Sequence, residues 1–115
     1  MTEHLDTKRN SLWEILVPTL RNNVPVKTRS HKEWDTRVRR IAGGLTIFKP
    51  AKGEWISPEG KLFSERMIPV KIMCSREEMH KIADMTAKFY QQEAIFYFLV
   101  SHEAIIRHYG EKSEL

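Results

Sequence analysis

A chain of 115 residues has room for one hydrophobic core and not for a second. Hydrophobic residues make up 41% of it and charged residues 30%, a globular composition that excludes a fully disordered chain. Nineteen Lys and Arg against 15 Asp and Glu give a net charge of +4. These cations are spread along most of the sequence, which reads as an ordinary solvated surface and argues against a nucleic-acid partner.

Residues 1–11 are polar and charged and read as a flexible N-terminal arm. They hold no apolar signal-peptide core, and the longest apolar run, Ala94 to Val100, is too short to span a bilayer. The expectation is a soluble, cytoplasmic chain with no membrane contact. A single domain is expected over 12–109, with 110–115 as a C-terminal tail.

Leu12 to Val17 is the first strand, closed by Pro18, and a polar loop follows over Asn22 to Arg29. Ser30 and Glu33 have the spacing of a capping box. Trp34, Val38, Ile41 and Leu45 then lie on one helical stripe, and Gly43-Gly44 stops the helix. A second strand starts at Thr46 to Phe48, is interrupted over Lys49 to Gly53, and resumes at Glu54 to Ser57. Pro58, Glu59 and Gly60 make the turn of a long hairpin, and Lys61 to Cys74 is its return arm. On that arm Ile68, Val70, Ile72 and Cys74 alternate with Met67, Pro69, Lys71 and Met73. The single cysteine, Cys74, excludes an internal disulfide and a thiolate zinc site, and its place in this alternation marks a small buried hydrophobe.

Ser75 and Glu78 form a second capping box, and Met79, Ile82, Ala83, Thr86 and Tyr90 are the buried stripe of a second helix. Ala94 to Val100 is the last full strand, and His102 to Tyr109 reads as a short extra strand or a packed tail. The order is β-α-β-β-α-β, an α+β ferredoxin-like sandwich with a long hairpin between its second and third strands and a C-terminal extension. The first and last strands carry apolar residues at both parities, so both sheet faces should be covered, and self-association would cover the second.

No metal site and no cofactor are expected: His102, Glu103 and His108 read as a wet tail. Lys27, Arg29, Lys32, Arg37, Arg39 and Arg40 surround Trp34, an arrangement that can suit single-stranded nucleic acid, but the stripe assigns Trp34 to the core. On the hairpin, Trp55 and Glu65 lie on opposite arms with Phe63 beside them. A carboxylate beside aromatic rings suits a cationic ligand, because the carboxylate supplies charge and the ring a cation–π face.

Over residues 12–109 the order and spacing of motifs resemble the small coliphage enzymes that cleave S-adenosylmethionine (SAM), the SAM lyases. The shared features are Ile15-Leu16-Val17, Leu20-Arg21, a basic helix end running into Gly44-Leu45, and Gly53-x-Trp55. They continue with Glu65, Val70-Lys71-Ile72-x-Cys74, the segment Tyr90 to Glu93, and an apolar strand ending at Ser101. A second resemblance, to an uncharacterised family of small secreted bacterial domains, rests on Glu33-Trp34, Gly44-Leu45-Thr46, Gly53-x-Trp55, Glu65 and Gln92-Glu93 and brings no activity. This sequence departs from that family in lacking a signal peptide.

The SAM lyase resemblance implies a homotrimer with sites between subunits that converts SAM to methylthioadenosine and homoserine lactone. It implies a phage anti-restriction role in the host cytoplasm. Glu65 matches that family's acidic residue, whose role would be to orient the site and complement the sulfonium charge, and Trp55 stands where the family has tyrosine, with its ring packing against the ligand. Arg66 stands where a second acid is found, and would meet the substrate carboxylate or repel the sulfonium. Phe63 would line the ligand, and Glu103 would bind its ribose or amino group. Two other readings stand beside this one: a non-catalytic PII-like trimer that binds a nucleotide-like molecule, and a basic module that binds nucleic acid or a host protein.

Overall fold

The computed structural model describes residues 6–110. Trp13, Ile15 and Val17 alternate with Leu12, Glu14 and Leu16, and this period of two sets the centre of β1 (Asp6–Pro18). The strand begins at Asp6, so residues 6–11 are strand and not the expected arm, and the rest of that arm, 1–5, lies outside the described residues. The reason is pairing: residues 6–10 are held by the last strand of the chain.

The polar loop contains a small hairpin, β2 (Leu20–Arg21) and β3 (Val24–Pro25). Asn22 and Asn23 turn it with φ of 53° and 63°, a left-handed pair that asparagine tolerates. Helix α1 (Thr28–Ala42) starts three residues earlier than the capping-box spacing implies. Lys27 is its N-cap with no side-chain hydrogen bond, and the Ser30 amide already donates to the Lys27 carbonyl inside the first turn. Glu33 is therefore free of any capping role and pairs with Arg37 at 3.3 Å. Gly43, at φ 89°, ends the helix as expected.

The next strand is split into β4 (Thr46–Ile47) and β5 (Ala51–Ile56), and β6 (Leu62–Cys74) returns beside both. Pro69 lies at the split. Its carbonyl accepts from the Phe48 amide at 2.9 Å, so its nitrogen, which cannot donate, faces the same broken edge. Helix α2 (Arg76–Tyr90) carries the full capping box: Ser75 Oγ accepts from the Glu78 amide, and Glu78 accepts from the Ser75 amide. Replacing Ser75 with alanine is expected to lower stability by about 1 kcal/mol, whereas Ser30→Ala should stay within about 0.5 kcal/mol. Urea denaturation of the two variants checks the contrast.

The last strand, β7, spans Tyr97–His108, later and longer than the run Ala94 to Val100. The register between β1 and β7 shifts twice, around Leu12, where β7 bulges. The bulges let β7 follow β1 to its start, so the expected extension His102 to Tyr109 is strand as far as His108.

Sheet order is β4-β6-β1-β7, all antiparallel, with β5 continuing β4 along β6. Counting β4 and β5 as two halves of one strand, this is the ferredoxin-like α+β sandwich. Both helices cover one face. Trp13, Ile15, Val17, Val70, Ile72 and Cys74 meet Trp34, Val38, Met79, Ile82 and Tyr90 there in one core. The other parity carries Leu12, Leu16, Met73, Phe96 and Phe98, and no helix covers it. Phe96 is 61% exposed, and its ring lies 5.4 Å from that of Phe98.

The β1–β6 ladder runs only from Ser11↔Cys74 to Pro18↔Met67. Past its first end, β1 continues paired with β7 alone. Past its other end, β6 continues paired with β5 alone. Two ribbons thus project in opposite directions, and the molecule measures 62 × 30 × 28 Å. No helix of the described residues is long and apolar enough to cross a membrane.

Candidate functional site

The β5–β6 ribbon carries the residues singled out on the hairpin. Trp55 pairs directly with Phe63 and Gly53 with Glu65. Residues two apart on a strand share a face, so Trp55, Phe63 and Glu65 project to one side. This is also the parity of Pro69, Lys71 and Met73, so the cluster continues the uncovered sheet face. The Trp55 and Phe63 rings lie nearly parallel at 17°, with centroids 6.1 Å apart. They are 45% and 39% exposed, a large amount of ring to leave uncovered. Gly53 opposite Glu65 adds no side chain between the carboxylate and the rings. Among the described residues no hydrogen bond or ion pair engages the half-buried Glu65 carboxylate.

Lys61 joins this group. Its ammonium sits 5.2 Å from the Phe63 centroid, so the ring already holds a cation. Sequence reasoning passed over Lys61, although it shares the alternation of Phe63 and Glu65 and was legible on that ground.

Arg66 and Glu103 are not brought to the cluster. Arg66 projects from the reverse face of the ribbon, opposite Lys52. Glu103 lies in the β7 bulge, where its amide donates to Ser101 Oγ at 3.2 Å. The eight-pair β1–β6 ladder separates Glu103 from Glu65, on the order of 25 Å of extended chain.

Other polar clusters lie elsewhere. A groove of about 430 Å³ opens beside Lys8, Leu12, Lys71 and Met73. A smaller one lies beside His31, Asp35 and Trp34. There the Tyr90 hydroxyl and His31 Nδ1 are 2.6 Å apart. Burial pushes the Tyr90 hydroxyl up and holds His31 below its ordinary range, so a neutral phenol and a neutral imidazole share this hydrogen bond. The Cys74 thiol is pushed up to about 11, mainly by burial, and stays protonated at neutral pH, which suits packing and not nucleophilic attack. Trp34 is 1% exposed, as its place on the stripe implied.

No family model and no curated protein matches the sequence. Similar solved structures exist. A phage SAM lyase in complex with S-methyl-5'-thioadenosine superposes with a TM-score of 0.62 at 15% identity, covering 99% of both chains. A phage SAM lyase in the apo state gives 0.56 at 14% identity, again over 99% of both. The periplasmic divalent cation tolerance protein CutA from Archaeoglobus fulgidus gives 0.58 at 14% identity, over 81% of this chain and 82% of that one. At these identities the likeness is one of fold: this chain has the fold of phage SAM lyase and of CutA.

Proposed function

We propose that the chain is a SAM lyase whose sites lie between subunits of a homotrimer. The observation that carries this reading is the Glu65 carboxylate, without a hydrogen bond or ion pair among the described residues, beside the stacked, exposed Trp55 and Phe63 rings. The uncovered sheet face and the two ribbons support the oligomer. Among the described residues, 6–10 of β1 and 62–66 of β6 each keep one unpaired strand edge, and an open edge is a template for pairing with another chain.

SAM is a cation at sulfur and at its amino group, with a carboxylate four bonds from the reacting carbon. In the proposed reaction that carboxylate attacks the carbon next to sulfur. A carbon–oxygen bond forms, the carbon–sulfur bond breaks with its electron pair going to sulfur, and methylthioadenosine leaves as a neutral thioether. Homoserine lactone is the other product. No proton transfer and no metal enters the balance. The enzyme has to fold the substrate so that oxygen and carbon meet, and to exclude water, since opposite charges are lost in the transition state.

This assigns the roles. The sulfonium charge fades as the bond breaks, so a carboxylate devoted to sulfur would favour substrate over transition state. The ammonium keeps its charge throughout. Glu65 therefore acts best by holding the ammonium and orienting the chain, while Trp55 and Phe63 take the adenosyl-sulfonium side. Arg66 and Glu103 would reach the ligand only from a second copy. The role is that of a phage anti-restriction enzyme in the host cytoplasm, consuming the methyl donor that restriction systems need.

Incubation of the purified protein with SAM, read by mass spectrometry, tests this. Methylthioadenosine and homoserine lactone over many turnovers are expected. Trp55→Ala should weaken SAM binding about tenfold by calorimetry, the size of one desolvated cation–π contact. Unchanged affinity would place Trp55 in subunit packing alone. The second reading, a non-catalytic trimer that binds a nucleotide-like molecule, is favoured by Lys61, which fills the Phe63 cation position. Saturable binding with intact SAM would decide for it.

A further inference from the structure

The net charge of the chain has one address. Residues 27–40, helix α1 with its lead-in, carry six of the 19 cations and only two of the 15 anions, an excess of four that equals the charge of the whole chain. The remainder is balanced. Reading the cations as spread along the sequence missed this: residues 27–40 hold them at about three times their density elsewhere, while the anions keep their average density.

The fold puts the excess on one line. Trp34, Val38 and Ala42 face the core, so the opposite side of α1 carries Arg29, Lys32, Thr36 and Arg40 at spacings of three and four, with Arg39 beside them. The lysine and arginines of that line are exposed. From Arg29 to Arg40 the line spans about 16 Å. Arg37 is taken by Glu33 and lies 4.9 Å over the Phe89 ring. Among the described residues, no ion pair engages Arg29, Lys32 or Arg40. Arg39 donates to Thr36 Oγ1, which donates to the Lys32 carbonyl, so this part of the line is braced.

The chemistry selects the occupant. The line has no exposed apolar residue, and an interfacial membrane helix requires an apolar face. It also lacks the apolar anchor on which most protein interfaces depend. Trp34 is buried and donates to Thr86, so no aromatic platform is left to stack an unpaired base. What remains is a straight row of cations on a rigid helix, which suits regularly spaced phosphates. We infer that the outer face of α1 binds duplex nucleic acid through its phosphates, without reading sequence. The helix layer points away from the open sheet face, so it stays accessible when copies meet through the sheet. The inference is independent of the hairpin site.

Anisotropy of a labelled 20-base-pair DNA duplex, titrated with the full chain at several salt concentrations, tests it. Three phosphate contacts should make affinity fall about 40-fold between 50 and 200 mM NaCl. The triple variant Arg29→Ala, Lys32→Ala, Arg40→Ala should bind at least about tenfold more weakly at 50 mM and lose most of the salt slope. A charge-matched control, Lys49→Ala, Lys52→Ala, Lys61→Ala, should bind the duplex as the parent does. Circular dichroism checks that both variants fold. Absence of duplex binding, an unchanged triple variant, an equal loss in the control, or equal binding to phosphatidylserine vesicles would each overturn the inference.

Discussion

Glu65→Gln is expected to lower kcat/KM for SAM by about 100-fold or more while the protein melts and assembles as before. The two halves of that expectation have separate grounds. The folded protomer asks nothing of the charge: the Glu65 carboxylate has no hydrogen bond or ion pair among the described residues and is half-buried on a ribbon outside the core. An amide of the same shape should change stability by no more than about 0.5 kcal/mol. Within an assembled site the same carboxylate would face an ammonium with water excluded. Removing one partner of such a pair costs about 3 kcal/mol, because the other charge is left unpaired. Since that charge persists through the reaction, the loss is one of orientation, and kcat should fall with the affinity. Quantifying methylthioadenosine against time, with size-exclusion chromatography of the same sample, reads both halves. Full activity would remove Glu65 from the mechanism.

The proposed assembly accounts for what a single chain leaves open. Glu65 and Glu103 stand on ribbons that leave the sheet in opposite directions. Each ribbon exposes large apolar side chains: Trp55, Ile56, Leu62 and Phe63 on one, Ile105 and Ile106 on the other. Apolar surface of this extent is ordinarily buried in an assembly. The proposal that one copy completes the site of the next follows from the shape of the sheet rather than from any pocket.

Periodicity made the layers legible. Every residue placed on the α2 stripe, Met79, Ile82, Ala83, Thr86 and Tyr90, is buried, because a helix with one apolar side has only one way to face a sheet. The Ser75 cap was readable for the same local reason. The Ser30 cap was not, since the small β2–β3 hairpin just before α1 delivers the chain already turned, closed by the Val26 amide donating to the Thr19 carbonyl. The course of β7 was hidden too. His102 and Glu103 look like a polar tail, yet they are the bulge that re-registers β7 onto the start of β1. Trp55, Phe63 and Glu65 were legible as a group because a hairpin converts sequence spacing into face and register. The separation of Arg66 and Glu103 from them was not, because it depends on alternation in one case and on the ends of a ladder in the other.

Trp34→Ala should destabilise the fold by about 3–5 kcal/mol, a large share of the total that a domain of this size holds. The indole is 1% exposed and lies 6.4 Å from the Tyr90 ring. Its Nε1 donates to Thr86 Oγ1 at 2.9 Å, and that hydroxyl donates to the Ile82 carbonyl at 2.6 Å. Truncation therefore opens a cavity and takes away the one donor to the buried Thr86 hydroxyl, which keeps its own bond to Ile82. The two costs can be separated. Thr86→Val keeps the volume and leaves the indole N–H unpaired, which should cost about 1–3 kcal/mol. In a double-mutant cycle, Trp34→Phe combined with Thr86→Val should cost less than the sum of the two, because the phenyl ring has no donor left to satisfy. Urea denaturation of the four proteins gives the cycle. The result bears on function as well as stability. A tryptophan kept among Arg29, Lys32, Arg37 and Arg40 to stack on bases would leave the midpoint of unfolding where it is when removed. A tryptophan that bolts α1 to α2 takes the cationic face with it, so duplex binding can be tested fairly only with Trp34 in place.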